Sequence, residues 1–221
     1  MNNLLELFNK GGFMMWPILI LLVFGIAISL ERLWTLSRAS VNTRKFLTKI
    51  KQALSEGGVQ AATEVCANTR GPVASIFHAG LLRVDRGIEH VEKAIMNAGS
   101  IEMAFLEKGL VWLSTIVSIA PMLGFLGTVW GMIAAFDSIA KANDISPSIV
   151  ADGISVALLT TLFGLVVAII IQTTNNFFVS RVDKLIVDME ESSVDFVDTL
   201  IEMERSNKSA VTPKAKAEVT T

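Results

Sequence analysis

Charged residues are absent from three long stretches, residues 11–30, 109–136 and 153–180, and crowd into the segments between and after them. Each stretch reaches the roughly 20 residues with which an α-helix crosses about 30 Å of hydrocarbon. The second and third exceed that length, so they are expected to tilt or to project beyond the bilayer. The pattern therefore predicts an all-α membrane protein with three transmembrane helices. The first run lies near the N-terminus, as a cleaved leader would. It is long, basic residues follow it and no small-x-small site closes it, so it is expected to stay attached.

The polar segments carry a different period. Phe46, Leu47, Ile50 and Leu54 recur at helical spacing, as do Val73, Ile76, Phe77 and Leu81, with turn signals at Gly57-Gly58, Gly71-Pro72 and Gly87. Residues 31–108 thus read as a small helical bundle. From Ile88 the series Val91, Ile95, Ala98, Ile101 and Phe105 runs toward the second span with no proline, which predicts one continuous helix leaving the membrane. Pro121, inside that span, is expected to kink it or loosen a turn. Beyond the third span, Val182, Ile186, Met189, Ser193, Phe196, Leu200 and Met203 alternate spacings of four and three. They form a seam that either folds back on the insert of the same chain or meets another subunit. The final stretch "SNKSAVTPKAKAEVTT" has no apolar period and is expected to be disordered. The resulting plan is an N-terminal segment 1–10, spans 11–30, 109–136 and 153–180, a helical insert 31–108, a loop 137–152, a helix 181–204 and a tail 205–221.

Composition agrees with a membrane chain: 52% of the 221 residues are hydrophobic and 18% charged. The positions of Lys and Arg set an orientation. Lys10 alone precedes the first span and Lys141 alone lies in the loop, whereas Arg32, Arg38, Arg44, Lys45, Lys49 and Lys51 follow the first span. By the positive-inside rule the N-terminus and the loop face outward, and the insert and C-terminal segment face the cytoplasm. A net charge of −2 without a basic cluster interleaved with aromatics gives no sign of nucleic-acid binding. Cys66 is the sole cysteine, so no intrachain disulfide or cysteine-based metal site is expected. His78 and His90 lie in the insert and read as surface or packing residues.

No Asp, Glu, His, Lys or Arg occurs within the three spans. Ser155 therefore has no intramembrane base to activate it, and no GxxxxGK phosphate loop exists, so neither an enzyme nor a cofactor is expected. The spans offer hydroxyls and small residues instead. "APMLGFLGTVWGM" holds Gly124, Gly127 and Gly131 within eight positions, a density that weakens a helix unless another helix comes very close. Gly124 and Gly131 fall four before and three after Thr128, giving a small, mildly polar face. With Gly164 of the third span, these glycines are the candidate helix-packing positions. Thr128, Thr160 and Thr161 are the candidate hydroxyls of an ion path.

"APMLGFLGTVWGMIAAF" and "GISVALLTTLFGLVVAI" resemble the second and third spans of the ExbB/TolQ/MotA family of ion-driven membrane motor subunits, nearest to ExbB and TolQ. "LERL" at residues 30–33 also fits, and the resemblance covers nearly the whole chain. It implies a homopentamer in the bacterial inner membrane whose second and third helices line a central pore. Within stands a dimer of an ExbD-like or TolR-like partner, each chain supplying one span with an essential Asp. Ion flow through that Asp drives envelope work, as with a TonB-like protein or the Tol-Pal system. Thr128 matches the threonine of the second-span motif and Thr161 that of the third, both facing the partner's Asp. Pro121, Trp130 and Asn176 are further motif positions. The chain departs from the family where Val156 replaces a glutamate, Ile170 a proline and Asn175 a tyrosine. Those departures leave open a sodium-coupled or uncoupled scaffold of a divergent subfamily. A wall without titratable groups holds no proton, so the carrier is expected on another chain.

Overall fold

The computed structural model describes residues 2–39, 43–142 and 147–217, and among them contains no strand. The helices are α1 (Asn2–Lys10), α2 (Met15–Ala39), α3 (Thr43–Ala67), α4 (Pro72–Leu81), α5 (Ile88–Glu107), α6 (Leu110–Ala142) and α7 (Pro147–Ala217). Three of the helical stretches are long and apolar enough to cross a membrane; they contain the second and third uncharged runs and residues 15–30 of the first. The chain divides into two compact units, Met1–Trp34 with Gly109–Ser180, and Thr35–Lys108 with Arg181–Thr221.

The first unit holds the spans. Its helices approach one another through small residues: a Cβ on Gly25 of α2 would stand 2.6 Å from Ile171 Cδ1 of α7 and 3.5 Å from Ile116 Cδ1 of α6. Ile18, Leu113, Ile116, Ala120, Val167 and Ile171 are buried between the helices, while Phe24, Phe125, Trp130, Leu158, Leu162 and Ile169 point outward. Apolar side chains on the outside of a helical bundle suit a hydrocarbon solvent or neighbouring spans. The nine-residue helix α1 precedes the first span, where the sequence suggested no element, and packs the Phe8 ring edge-on against Trp16 at 5.5 Å.

The predicted continuous helix from residue 88 into the second span is corrected by the structure. α5 ends at Glu107, Lys108 leaves helical geometry with φ −55° and ψ 128°, and Gly109 has φ +93° before α6 begins. Glycine accepts that left-handed backbone freely, so the chain can turn there without a proline. The buried Arg32 side chain lies against this point, its Nε 3.1 Å from where a Gly109 Cβ would be. Conversely, α6 runs through Pro121 without interruption, although proline removes the N–H that would meet Val117.

In the second unit each predicted turn signal carries a positive-φ glycine: Gly58 at +68°, inside a kink of α3, Gly71 at +133° and Gly87 at +96°. Pro72 follows Gly71 at the first position of α4, where a missing N–H costs nothing. Phe46, Ile50, Leu54, Val73, Ile76, Phe77, Leu81, Val91 and Ile95 are buried. Ile101 and Phe105 are exposed, because the buried side of α5 passes to Leu106 near its end. The α7 seam folds back on the same chain: Phe196 stacks on Phe77 at 4.2 Å and 11°, and Phe77 on Phe46 at 5.8 Å and 25°. Val182, Met189, Phe196 and Leu200 are buried there, joined by Ser192 rather than Ser193. α7 continues beyond Arg205 to Ala217, so most of the expected disordered tail has helical backbone, in keeping with its alanines and lysines. Residues 218–221 of that tail lie outside the described residues, as do 143–146 of the predicted loop.

Candidate functional site

The glycines of the second span meet the third span of the same chain. Along α6, Ala120, Gly124, Gly127, Gly131 and Ala135 recur at spacings of four and three and are all buried. Along α7, Gly153, Ala157, Thr160 and Gly164 repeat the same spacing and face them. A Cβ on Gly124 would lie 3.0 Å from the Thr160 carbonyl oxygen and 3.1 Å from Thr161 Cα; one on Gly131 would lie 3.0 Å from the Ala157 nitrogen. Gly164 is tighter, with the Ala120 carbonyl oxygen at 2.6 Å and Gly124 Cα at 3.0 Å. The neighbours are backbone atoms at almost every point, so the two helices touch main chain to main chain.

The threonines hold three different positions. Thr160 is fully buried against Gly127, whose added Cβ would meet Thr160 Cβ and Oγ1 at 2.5 Å. Its hydroxyl donates within its own helix, to Ala157 O at 2.9 Å and Val156 O at 3.2 Å. Thr161 is half-buried and donates across the contact to Gly124 O at 3.1 Å, the one hydroxyl of the three that ties the helices together. Thr128 is also half-buried, and its hydroxyl donates to Phe125 O of its own helix. The small face therefore belongs to Gly124, Gly127 and Gly131, and Thr128 stands beside it rather than on it. Ala120, Ala135, Gly153 and Ala157 complete the contact. Sequence reading passed over them, although their spacing of four and three carries the signal.

Among the remaining motif positions, Trp130 is 58% exposed and Pro121 half-buried. Asn176 is exposed and accepts a hydrogen bond from Gln172 Nε2 at 2.7 Å. Asn175 is buried, and its Oδ1 has no partner among the described residues. Arg32 of the "LERL" segment is also buried. Its Nε and Nη2 grip the Glu31 carboxylate at 2.7 and 3.0 Å, while Nη1 lacks a partner among the described residues.

A cleft of about 410 Å³ opens beside the α6–α7 contact, lined by Gly11, Gly12, Trp130, Ser138, Asp152 and Thr160 among others. It also takes in Val156, one turn from each of Asp152 and Thr160 on the same face of α7.

Comparison with known proteins matches residues 68–191 to the MotA/TolQ/ExbB proton channel family. An ExbB homolog of Methanothermobacter thermautotrophicus is 32% identical over 190 residues, covering 86% of this chain and 67% of that protein. The Tol-Pal system protein TolQ of Haemophilus influenzae is 26% identical over 211 residues, covering 89% and 91%. The biopolymer transport protein ExbB of Xanthomonas campestris pv. campestris is 36% identical over 99 residues, 45% of this chain and 39% of its own.

Proposed function

Because the chain belongs to the MotA/TolQ/ExbB proton channel family, we propose that it is an ExbB/TolQ-like inner-membrane subunit that turns an ion gradient into motion. In this reading five copies surround an ExbD/TolR-like dimer, with α6 and α7 of each copy forming the wall of the pore. The N-terminus faces the periplasm; the insert and the end of α7 face the cytoplasm. The work is delivered to an envelope process such as TonB-dependent transport. The family is one of channels, not of enzymes.

The observation that carries the reading is the union of α6 and α7 through a glycine face in spans that contain no ionisable residue. Such a pair can form a wall and cannot itself bind a proton, so the carboxylate must come from a partner. A carboxylate at the bilayer centre is costly, and the hydroxyls of Thr128 and Thr161, half-buried on the wall, lower that cost when they rotate away from Phe125 O and Gly124 O to donate to it. One elementary charge crossing 100 mV supplies about 2.3 kcal/mol, which drives motion only between shallow wells. Small residues and hydroxyls make shallow wells.

Native mass spectrometry of the complex, extracted from its own membranes in mild detergent, tests the proposal. Five copies with two of a small single-span partner support it. A stable oligomer without such a partner points to the uncoupled scaffold instead.

A further inference from the structure

The cleft beside the α6–α7 contact presents acceptors of hydrogen bonds and few donors. Asp152, at one end, is the only ionisable residue among those lining it. Ser138 Oγ, exposed, donates its proton to Ala134 O at 2.8 Å and so keeps lone pairs for the cleft, while Thr160 Oγ1 donates to Ala157 O at 2.9 Å and is fully buried at the inner end. At the turn on the far wall, Gly11 N–H is held by Leu7 O at 3.1 Å and Gly12 N–H by Asn9 O at 3.4 Å. A carboxylate and a hydroxyl oxygen whose proton is already committed favour a cation over an anion.

The dimensions suit a hydrated ion. A volume of about 410 Å³ holds on the order of ten waters at ~30 Å³ each. Asp152 and Thr160 lie eight residues apart on α7, so the cleft runs roughly 12 Å along the helix, from the charged start of α7 into its uncharged part. At its inner end stands Thr160, next to Thr161 and the hydrogen bond to Gly124. An added Cβ on Gly12 would stand 3.8 Å from Val156 Cγ1 of the same cleft, whereas those on Gly127, Gly131 and Gly153 would run into the opposing helix.

We propose that this cleft is the intake of the ion path: Asp152 gathers a small hydrated cation, hydronium or sodium, from the outer solution, and the acceptor-lined cleft conducts it inward toward Thr160. The proposal rests on the ion-motor reading above and adds to it the place where the ion enters. A carboxylate at the mouth of a low-dielectric cleft raises the local cation concentration, and so it acts on the half-saturating ion concentration more than on maximal turnover.

Two measurements on the full complex test this separately from the motor reading. First, Val156→Cys places a thiol within the cleft in intact membranes, where the native Cys66 is buried and silent. With each reagent's rate taken relative to its rate with free 2-mercaptoethanol, since a thiolate itself favours the cationic reagent, a trimethylammonium-ethyl methanethiosulfonate should label the introduced thiol about tenfold faster than the sulfonate-ethyl reagent of similar size, and adding Asp152→Asn should bring the two relative rates within about twofold. Equal relative rates with Asp152 present, or no labelling, overturn the cation-selective cleft. Second, ion flux of the complex in vesicles is followed as pH and sodium are varied in turn. Asp152→Asn should raise the half-saturating concentration of the coupling ion about fivefold, in the pH series for hydronium or the sodium series for sodium, and Asp152→Glu should restore it. Unchanged half-saturation in a conducting complex refutes the intake while leaving the motor intact. No flux from the unaltered complex refutes the motor reading and the intake role together, and the labelling rates still report whether the cleft selects cations.

Discussion

Replacing Gly164 by alanine should drive apart two helices that now touch backbone to backbone. The new Cβ would stand 2.6 Å from the Ala120 carbonyl oxygen, 3.0 Å from Gly124 Cα and 3.2 Å from Gly124 N. None of these atoms can swing away as a flexible side chain does. Carbon atoms prefer separations of about 3.5–4.0 Å, so α6 and α7 must part by roughly 0.5–1 Å along this stretch. The Thr161 bond to Gly124 O, now 3.1 Å, then reaches the limit of a useful hydrogen bond. Overpacking of this kind costs about 1–3 kcal/mol, and an interhelical bond in a membrane protein about 0.6 kcal/mol. Against them stands up to about 1 kcal/mol gained when alanine replaces a helical glycine. The net loss is about 1–3 kcal/mol, or about 3–10 °C in thermal midpoint for a chain of this size. Thermal unfolding in mild detergent, followed by circular dichroism, measures it. The matched control is Gly99→Ala in α5, where the nearest atom is Ile76 Cδ1 at 3.9 Å and the midpoint should hold or rise. A Gly164→Ala midpoint at or above that of the parent would refute the backbone contact.

Thr161→Val removes the hydroxyl at nearly constant volume and should lower the midpoint by only about 1–3 °C while sharply reducing ion-driven work; full ion-driven activity with normal expression would take Thr161 out of the ion path. Phe196→Ala empties the fully buried stack on Phe77 and should cost about 3–5 kcal/mol, read as a lower denaturation midpoint with oligomeric state retained. A change of oligomeric state at unchanged stability would show that the seam serves another subunit. Burial pushes the Cys66 thiol from an ordinary value near 9.0 up to about 12. The folded state therefore keeps a proton that the unfolded state sheds above about pH 9, so stability should fall as pH rises from 9 toward 12. Maleimide should leave the native protein unlabelled at about pH 7.5 and modify it on unfolding, since only an exposed thiol reacts readily; rapid labelling of the native state would contradict the burial.

The spans were legible because an uncharged run of that length has few alternatives to crossing a bilayer. The breaks at Gly58, Gly71 and Gly87 were legible because each glycine interrupts an apolar period. Gly109 was not, since it opens an uncharged run directly after Lys108 and reads as the first small residue of a span; only its φ of +93° distinguishes it. The identity of the small face was half legible. Counting from Thr128 found Gly124 and Gly131, but the contact centres on Gly127, one residue or about 100° around the helix. Choosing between those faces requires the complementary series Gly153, Ala157, Thr160 and Gly164 on the other helix, which a single-helix period does not supply. Asp152 was passed over because it lies at the edge of an uncharged run, and its importance comes from the cleft that surrounds it.

The main-chain contact of α6 with α7 also fixes where the molecule is stiff. Interlocked side chains can be rearranged rotamer by rotamer, so a joint made of them yields by degrees. A joint between two backbones has no such moving parts, and its resistance is set by peptide geometry. α6 and α7 thus form one girder along their shared stretch, and any compliance is displaced to the outer faces, where Phe125, Trp130, Leu158 and Leu162 have freedom to swing. The glycines that weaken each helix alone are what make the pair rigid.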